Sequence, residues 1–349
     1  MCGKWRCSFQ LHPIEWVKGK VIGSGSFGTV HLAMDNATGS LFVAKSATSE
    51  SGILSLKNEA NILDNLDSPY VVKCIGKDFS FGRNGEKKHT IFLEYMAGGS
   101  LSDVAKIFGG TMDERVIRLY TRGILRGLKY LHQNGIVHSD LKCKNVLLGL
   151  SGNIKLADFG ASKKIYDGKK KVKTSLKSWD ACLGGTPLWM APEVLRNEGL
   201  DFSSDIWSLG CTVIEMATAK PGWHVDLSNP MDGIIKISRG DKVPQFPGDF
   251  SKEGLDFLEK CLQTDPRKRW TSQELLDHPF VDVRLGNLFS RKADAFSPSS
   301  VLDVGYVSDD DECFGGSTPF SERLKKMVAG DVSERSFESS GDWITVRTR

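Results

Sequence analysis

From Trp16 to about Tyr95, apolar and polar positions alternate in short runs, the pattern of half-buried strands. WVKGKVIG and TVHLA read as strands, DNATGS supplies turn chemistry, and LFVAKS resumes the extended pattern. One stretch breaks the two-residue period. In SLKNEANILDNL, residues 55–66, Leu56, Ile62, Leu63 and Leu66 recur at helical spacing until Pro69 ends the pattern, so a single helix is expected among the strands. Beyond Gly99 long amphipathic helices take over: Ile117, Tyr120, Ile124, Leu128 and Leu131 share one face, and Gly135 suits the stop. DIWSLGCTVIEMAT is apolar nearly all round and predicts a buried helix. The fold class that follows is α+β. A small strand-rich lobe over about 16–96 is joined to a larger, mostly helical lobe over about 97–283, after a short segment 1–15.

After HPFVDV the pattern dissolves. Residues 284–349 are rich in Ser, Asp and Gly with few clustered apolar positions, which predicts a flexible tail or one ordered only on docking. The chain has 349 residues, 40% of them hydrophobic, enough for a sizeable core. A net charge of +3 with 26% charged residues implies neither nucleic acid nor a membrane surface as partner. Eight cysteines without a CxxC pair or metal spacing read as reduced thiols. No apolar run has the length of a membrane span, and a cytoplasmic or nuclear protein is expected.

The chemistry lies in polar residues set between apolar runs. GSGSFG places Gly23, Gly25 and Gly28 between two strands, a hairpin rather than the strand-to-helix turn of a dinucleotide fold. Glycines there let backbone N–H groups approach phosphate oxygens. Lys45 follows on the next strand beside Val43 and Ala44. Its ammonium is placed to meet phosphates, with Glu59 on the early helix as counter-ion. In GIVHSDLKCKNVLL, Asp140 is placed to accept a proton from an attacking hydroxyl, and Lys142 to neutralise a phosphoryl group in flight. Asn145, with Asp158 of IKLADFGASK, offers hard oxygen ligands suited to magnesium. Each residue alone is an ordinary loop or edge group; together and in this order they point to one nucleotide site.

The ordered set GSGSFGTV, VAK, HSDLKCKN, DFG, APE, DIWSLG and DPRKRW, over residues 16–281, resembles the eukaryotic protein kinases, and IFLEYMAGGSL with GTPLWMAPEVL is similar to the plant MAP kinase kinase kinases, the MEKK-like branch. That resemblance implies a bilobal fold and a serine/threonine kinase using ATP and Mg2+, with MAP kinase kinases as protein substrates. It implies that Ile22, Gly23, Ser24, Gly25, Ser26, Phe27, Gly28, Val30 and Val43 cover the nucleotide. Leu93 becomes the gatekeeper, with Glu94, Tyr95 and Met96 forming the hinge for adenine. Glu193 would pair with Arg269, and Asp205 would anchor the catalytic loop. Lys142 with Thr186 matches the serine/threonine rather than the tyrosine kinases. The rival class is a pseudokinase or scaffold that recruits partners without chemistry, but such chains commonly lack one of the residues corresponding to Lys45, Asp140, Asn145 and Asp158.

Two positions depart from the family pattern. Val43 stands where a small alanine usually roofs the adenine, and its two extra methyl groups tighten that slot. Ser139 stands where most members carry an arginine that pairs with an activation-loop phosphate, so activity is expected to depend less on phosphate at Thr174, Ser175, Ser178 or Thr186. Lys163, Lys164 and the KKKVK run read as solvated charge, with phosphate binding as the alternative. In the tail, Ser297-Pro298 and Thr318-Pro319 are candidate targets of a proline-directed kinase, and the acidic run Asp309 to Glu312 could dock basic partners in a regulatory role.

Overall fold

The computed structural model describes residues 15–25, 28–81, 85–167, 170–171, 186–220, 222–223, 230–240, 243–282 and 344–346. The alternating segment forms β1 (Trp16–Gly25), β2 (Gly28–Asp35), β3 (Leu41–Ala47), helix α1 (Glu50–Leu63), β4 (Cys74–Phe81) and β5 (Lys87–Glu94). These strands pair antiparallel in the order β1-β2-β3-β5-β4. The two-residue period sorts their side chains. Val43 and Ala47 join the main core under the sheet, while Phe42 and Ala44 pack on its other face with Trp16, Ala33 and Phe92. The Trp16, Phe42 and Phe92 rings meet edge to face at centroid distances of 5.6 and 6.0 Å.

Helix α1 begins at Glu50 rather than Ser55 because Ser49 caps it, its hydroxyl accepting from the Gly52 N–H at 3.2 Å. It ends at Leu63. Leu66 lies beyond it, its N–H turned onto the Leu63 carbonyl at 3.0 Å, and still packs on the core.

The large lobe follows with α2 (Leu101–Ile107), α3 (Glu114–Gln133), β6 (Ile136–Val137), β7 (Val146–Leu148), β8 (Ile154–Leu156), β9 (Lys163–Lys164), β10 (Tyr166–Asp167) and β11 (Lys170–Lys171). Then come α4 (Pro192–Leu195), α5 (Phe202–Thr218), α6 (Pro230–Arg239), α7 (Lys252–Cys261) and α8 (Ser272–Leu276). Helix α3 buries Ile117, Ile124, Leu128 and Leu131 as its period predicts, whereas Tyr120 is half-buried and Thr121 and Leu125 widen the stripe. Helix α5 is enclosed along nearly its whole length and is started by a capping box between Asp201 and Ser204. One continuous apolar cluster runs from Val43 and Leu56 through Leu128, Leu156 and Phe159 to Trp207, Phe257 and Phe280. The two lobes therefore share a core. Full burial of each such side chain contributes roughly 1.5–3 kcal/mol.

Among the described residues no helix is long and apolar enough to cross a membrane, and Cys74, Cys143, Cys211 and Cys261 are free thiols. In the tail, for which composition predicts a flexible segment or one ordered only on docking, Ile344–Val346 form β12, antiparallel to β1 on the open edge of the small-lobe sheet. The triplet is β-branched throughout, which suits it to a strand. Ser26 and Phe27 of the glycine loop lie outside the described residues, as do Thr174, Ser175 and Ser178, the Ser297-Pro298 and Thr318-Pro319 pairs and Asp309 to Glu312.

Candidate active site

The sheet brings the glycine hairpin over the lysine by register alone: Gly23 lies opposite Val30, and Val30 opposite Lys45. Gly23, Ser24 and Gly25 end β1, with Ile22 exposed beside them, and Gly28 opens β2. Gly28 has φ +141°, and a Cβ there would run into the Ser46 carbonyl, so only glycine lets β2 start this close to β3. Val43 is buried opposite Leu93, two residues before Lys45 on the same face, while Ala44 points to the other. Val43, not Ala44, therefore shares the face of Lys45, as the two-residue period requires.

Lys45 Nζ donates to Glu59 Oε2 at 2.7 Å and to Asp158 Oδ1 at 2.9 Å, which joins β3, α1 and the segment after β8. Burial alone would lower the lysine pKa, but the Glu59 and Asp158 carboxylates outweigh it and hold the ammonium above its ordinary value. Burial likewise works against ionisation of Asp158, and Lys45 overcomes it, leaving that carboxyl below its usual value. Glu59 is fully enclosed, and burial pushes its pKa up against the pull of Lys45 and of the Phe159 N–H at 3.3 Å. With an ammonium at 2.7 Å, Glu59 is here one half of an ion pair, whose partner cannot be removed without leaving a buried charge.

Asn58, adjacent to Glu59, closes the other side. Its side-chain amide donates to the carbonyls of Phe159 at 3.3 Å, Gly160 at 3.0 Å and Ser162 at 3.0 Å. Gly160 sits where a Cβ would strike the Ser55 hydroxyl of α1, so its lack of a side chain permits this approach. Phe159 is fully buried with its ring 5.0 Å from that of His138. Asp158 itself has φ 66°, an uncommon conformation maintained by these contacts.

Asp140 and Lys142 lie between β6 and a 3-10 turn over Cys143–Asn145. Asp140 Oδ1 accepts from the Thr186 N–H at 2.9 Å and from its hydroxyl at 3.0 Å. Oδ2 accepts from Lys142 Nζ at 2.8 Å and Asn145 Nδ2 at 2.8 Å. Lys142 Nζ also donates to the Thr186 hydroxyl, so one ammonium spans the aspartate and the threonine. The Asn145 amide donates to the Asp140 carbonyl as well, at 2.7 Å, which turns its oxygen away from Asp140. That oxygen and Asp158 Oδ2 accept no hydrogen bond among the described residues. They are hard donors of the kind that would suit Mg2+.

The loop is anchored from below by Asp205 of α5, which accepts from the N–H groups of His138 at 2.9 Å and Ser139 at 3.0 Å and bonds His132 Nε2 at 2.9 Å. Ser139 has φ 68°, and its hydroxyl is buried with no partner among the described residues. Glu193 and Arg269 meet through two parallel bonds of 2.6 and 2.7 Å, with Arg269 also donating to the Gln263 and Ser203 carbonyls. This is a buried and fully satisfied pair rather than an exposed one. At the hinge, the Glu94 carboxylate accepts from the Lys73 N–H at 2.7 Å and Lys155 Nζ at 2.6 Å. The Met96 N–H has no partner among the described residues, as an adenine donor requires.

Sequence reasoning thus places the glycine hairpin, Lys45, Glu59, Asp140, Lys142, Asn145 and Asp158, and the structure brings the described members together. It misses Asn58 and Lys155. Neighbours on a helix point in different directions, so adjacency to Glu59 is no signal, and Lys155 is one of many lysines until the hinge packs beside it.

Residues 16–281 match the family described as protein kinase domain. Mitogen-activated protein kinase kinase kinase 20 of Arabidopsis thaliana is 36% identical over 96% of this chain and 100% of that relative, so the likeness runs into the tail. Mitogen-activated protein kinase kinase kinase 3 of the same plant is 42% identical over 77% of this chain and 41% of its own length. A human kinase of that name, mitogen-activated protein kinase kinase kinase 3, is 40% identical over 78% of this chain and 42% of its own length. On this site and these likenesses, the chain belongs to the protein kinase family and is a MEKK-like protein serine/threonine kinase.

Proposed function

We propose that this kinase transfers the γ-phosphoryl group of magnesium-bound ATP to serine or threonine hydroxyls of mitogen-activated protein kinase kinases. The observation that carries the reading is the convergence on Asp158 of Lys45 from one lobe, beside Asp140, Lys142 and Asn145 from the other. Bound magnesium supplies charge neutralisation at the phosphate oxygens, and Asn145 and Asp158 would hold it. Glu59 and Asp158 keep Lys45 charged and aimed into the cleft. Asp140 orients the acceptor hydroxyl and receives its proton, while Lys142 offsets charge on the phosphoryl group. A carboxylate has about four lone-pair sites, and Thr186, Lys142 and Asn145 take all of them here, so an incoming hydroxyl shares or replaces the Thr186 contact.

The names of the relatives support the substrate class. The test is transfer of labelled phosphate from ATP to kinase-inactive MAP kinase kinases, with Asp158→Ala as control. Label on serine or threonine that the control abolishes supports the reading; binding of those proteins without transfer by the parent enzyme favours the scaffold alternative.

The Ser139 hydroxyl is enclosed and carries no charge, so it offers a phosphate nothing that an arginine would. Phosphatase-treated enzyme therefore retains most of its activity, and a collapse on phosphate removal would refute this independence.

A further inference from the structure

We propose that Ile344–Val346 is a docking strand that this chain lays along the open edge of its own small-lobe sheet. Strand β1 is ten residues long and bonded to β2 on one side. Without β12 its other side would present a row of unpaired N–H and C=O groups, the usual template for unwanted pairing. The occupant is given by the register: Trp16 lies opposite Val346, Val17 opposite Thr345 and Lys18 opposite Ile344. Three consecutive β-branched residues of an otherwise Ser- and Asp-rich tail therefore meet the one segment of β1 that is also paired to Asp35, Met34 and Ala33 of β2. Trp16 is buried at this place, among Phe42 and Phe92.

The docking site lies at the base of the hairpin that carries Gly23, Gly25 and Gly28. Residues 283–343 separate Asp282 of the large lobe from Ile344 of β12. That length of chain exceeds what a domain of this size needs to be spanned. Closing so long a loop costs little more than closing one half its length. Strand addition draws its affinity from main-chain bonds, which explains how a tail of such composition can dock.

In an antiparallel ladder, alternate partners exchange both bonds, so either Thr345 or its two neighbours donate to β1. Proline removes the donor. Full-length chains carrying Thr345→Pro or the pair Ile344→Pro and Val346→Pro are compared with the parent by amide hydrogen exchange. At least one of them should exchange at Trp16–Lys18 about tenfold faster or more, with α5 amides unchanged as the internal reference. Equal exchange at Trp16–Lys18 in parent and both variants overturns the proposal.

A second measurement does not depend on destabilising anything. Val17 and Thr345 are direct partners, so Val17→Cys with Thr345→Cys in the full chain should form a disulfide within one molecule, located by peptide mapping. Absence of that bond overturns the docking. A bond found only between two copies overturns the assignment to the chain's own tail.

Discussion

At the residue scale, Asp140 and Asn58 separate two kinds of contribution. In the proposed reaction Asp140 meets the acceptor hydroxyl, so Asp140→Asn should lower kcat by roughly 10²- to 10⁴-fold while leaving the KM for ATP near the parent value, as steady-state kinetics will show. Asn58 acts only through the carbonyls of Phe159, Gly160 and Ser162, which makes it a positioning residue. Asn58→Ala releases the segment that carries Asp158, and small displacements of a catalytic group are expensive. Its kcat should fall roughly 10- to 100-fold, with a larger KM for ATP because Asp158 also aims Lys45. A variant with reduced thermal stability but unchanged kcat and KM would show Asn58 to be merely structural.

At the element scale, α3 and the α4–α5 junction hold the catalytic loop from beneath. Leu128 is fully buried in the α3 stripe, and Leu128→Ala should destabilise the enzyme by about 2–5 kcal/mol in denaturant unfolding, through lost burial and the cavity left behind. Glu193→Gln leaves Arg269 without its carboxylate in a buried site, so a loss of about 3–5 kcal/mol is expected. How legible these elements are in the sequence depends on their periodicity. The α3 stripe and the enclosed α5 are strong, long signals, and both form where expected. Helix α1 is weaker: its apolar spacing starts late, and the actual start at Glu50 is decided by the Ser49 cap. The tail strand carries no turn signal or long alternation, because three residues are too few for a period and its pairing partner lies at the opposite end of the chain.

At the scale of the whole molecule, the Lys45, Glu59 and Asp158 cluster connects both lobes, and its pH response has a definite sign. Lys45 is raised in the folded state, so its contribution is fully present below the ordinary lysine pKa of 10.5 and is lost only as pH rises beyond it. Asp158 is depressed, so its contribution is present above the ordinary value of 3.8 and is lost as pH falls below that. Glu59 is shifted the opposite way, and Asp158 helps to raise it, so the difference in melting temperature between parent and Asp158→Asn should change as pH rises from the ordinary glutamate value of 4.5 through the raised value of Glu59, and be level above that up to about pH 9. A difference that changes within the level range would mean that another group governs the cluster.

By itself the sequence determined which residue types are available for phosphoryl transfer, their order, and the two periods that separate a strand-rich lobe from a helical one, since those depend only on local spacing. That Val43 shares the strand face of Lys45 follows from alternation alone, whereas its place over adenine is what the family resemblance implies. The tertiary structure decided what requires distant segments to meet: Glu59 engaged with Lys45, Asn58 on the carbonyls after Asp158, Thr186 on Asp140, and Ile344–Val346 against Trp16–Lys18. Hydrogen bonds and ion pairs act over a few ångströms in space, and separation along the chain carries no information about that distance until the core has closed.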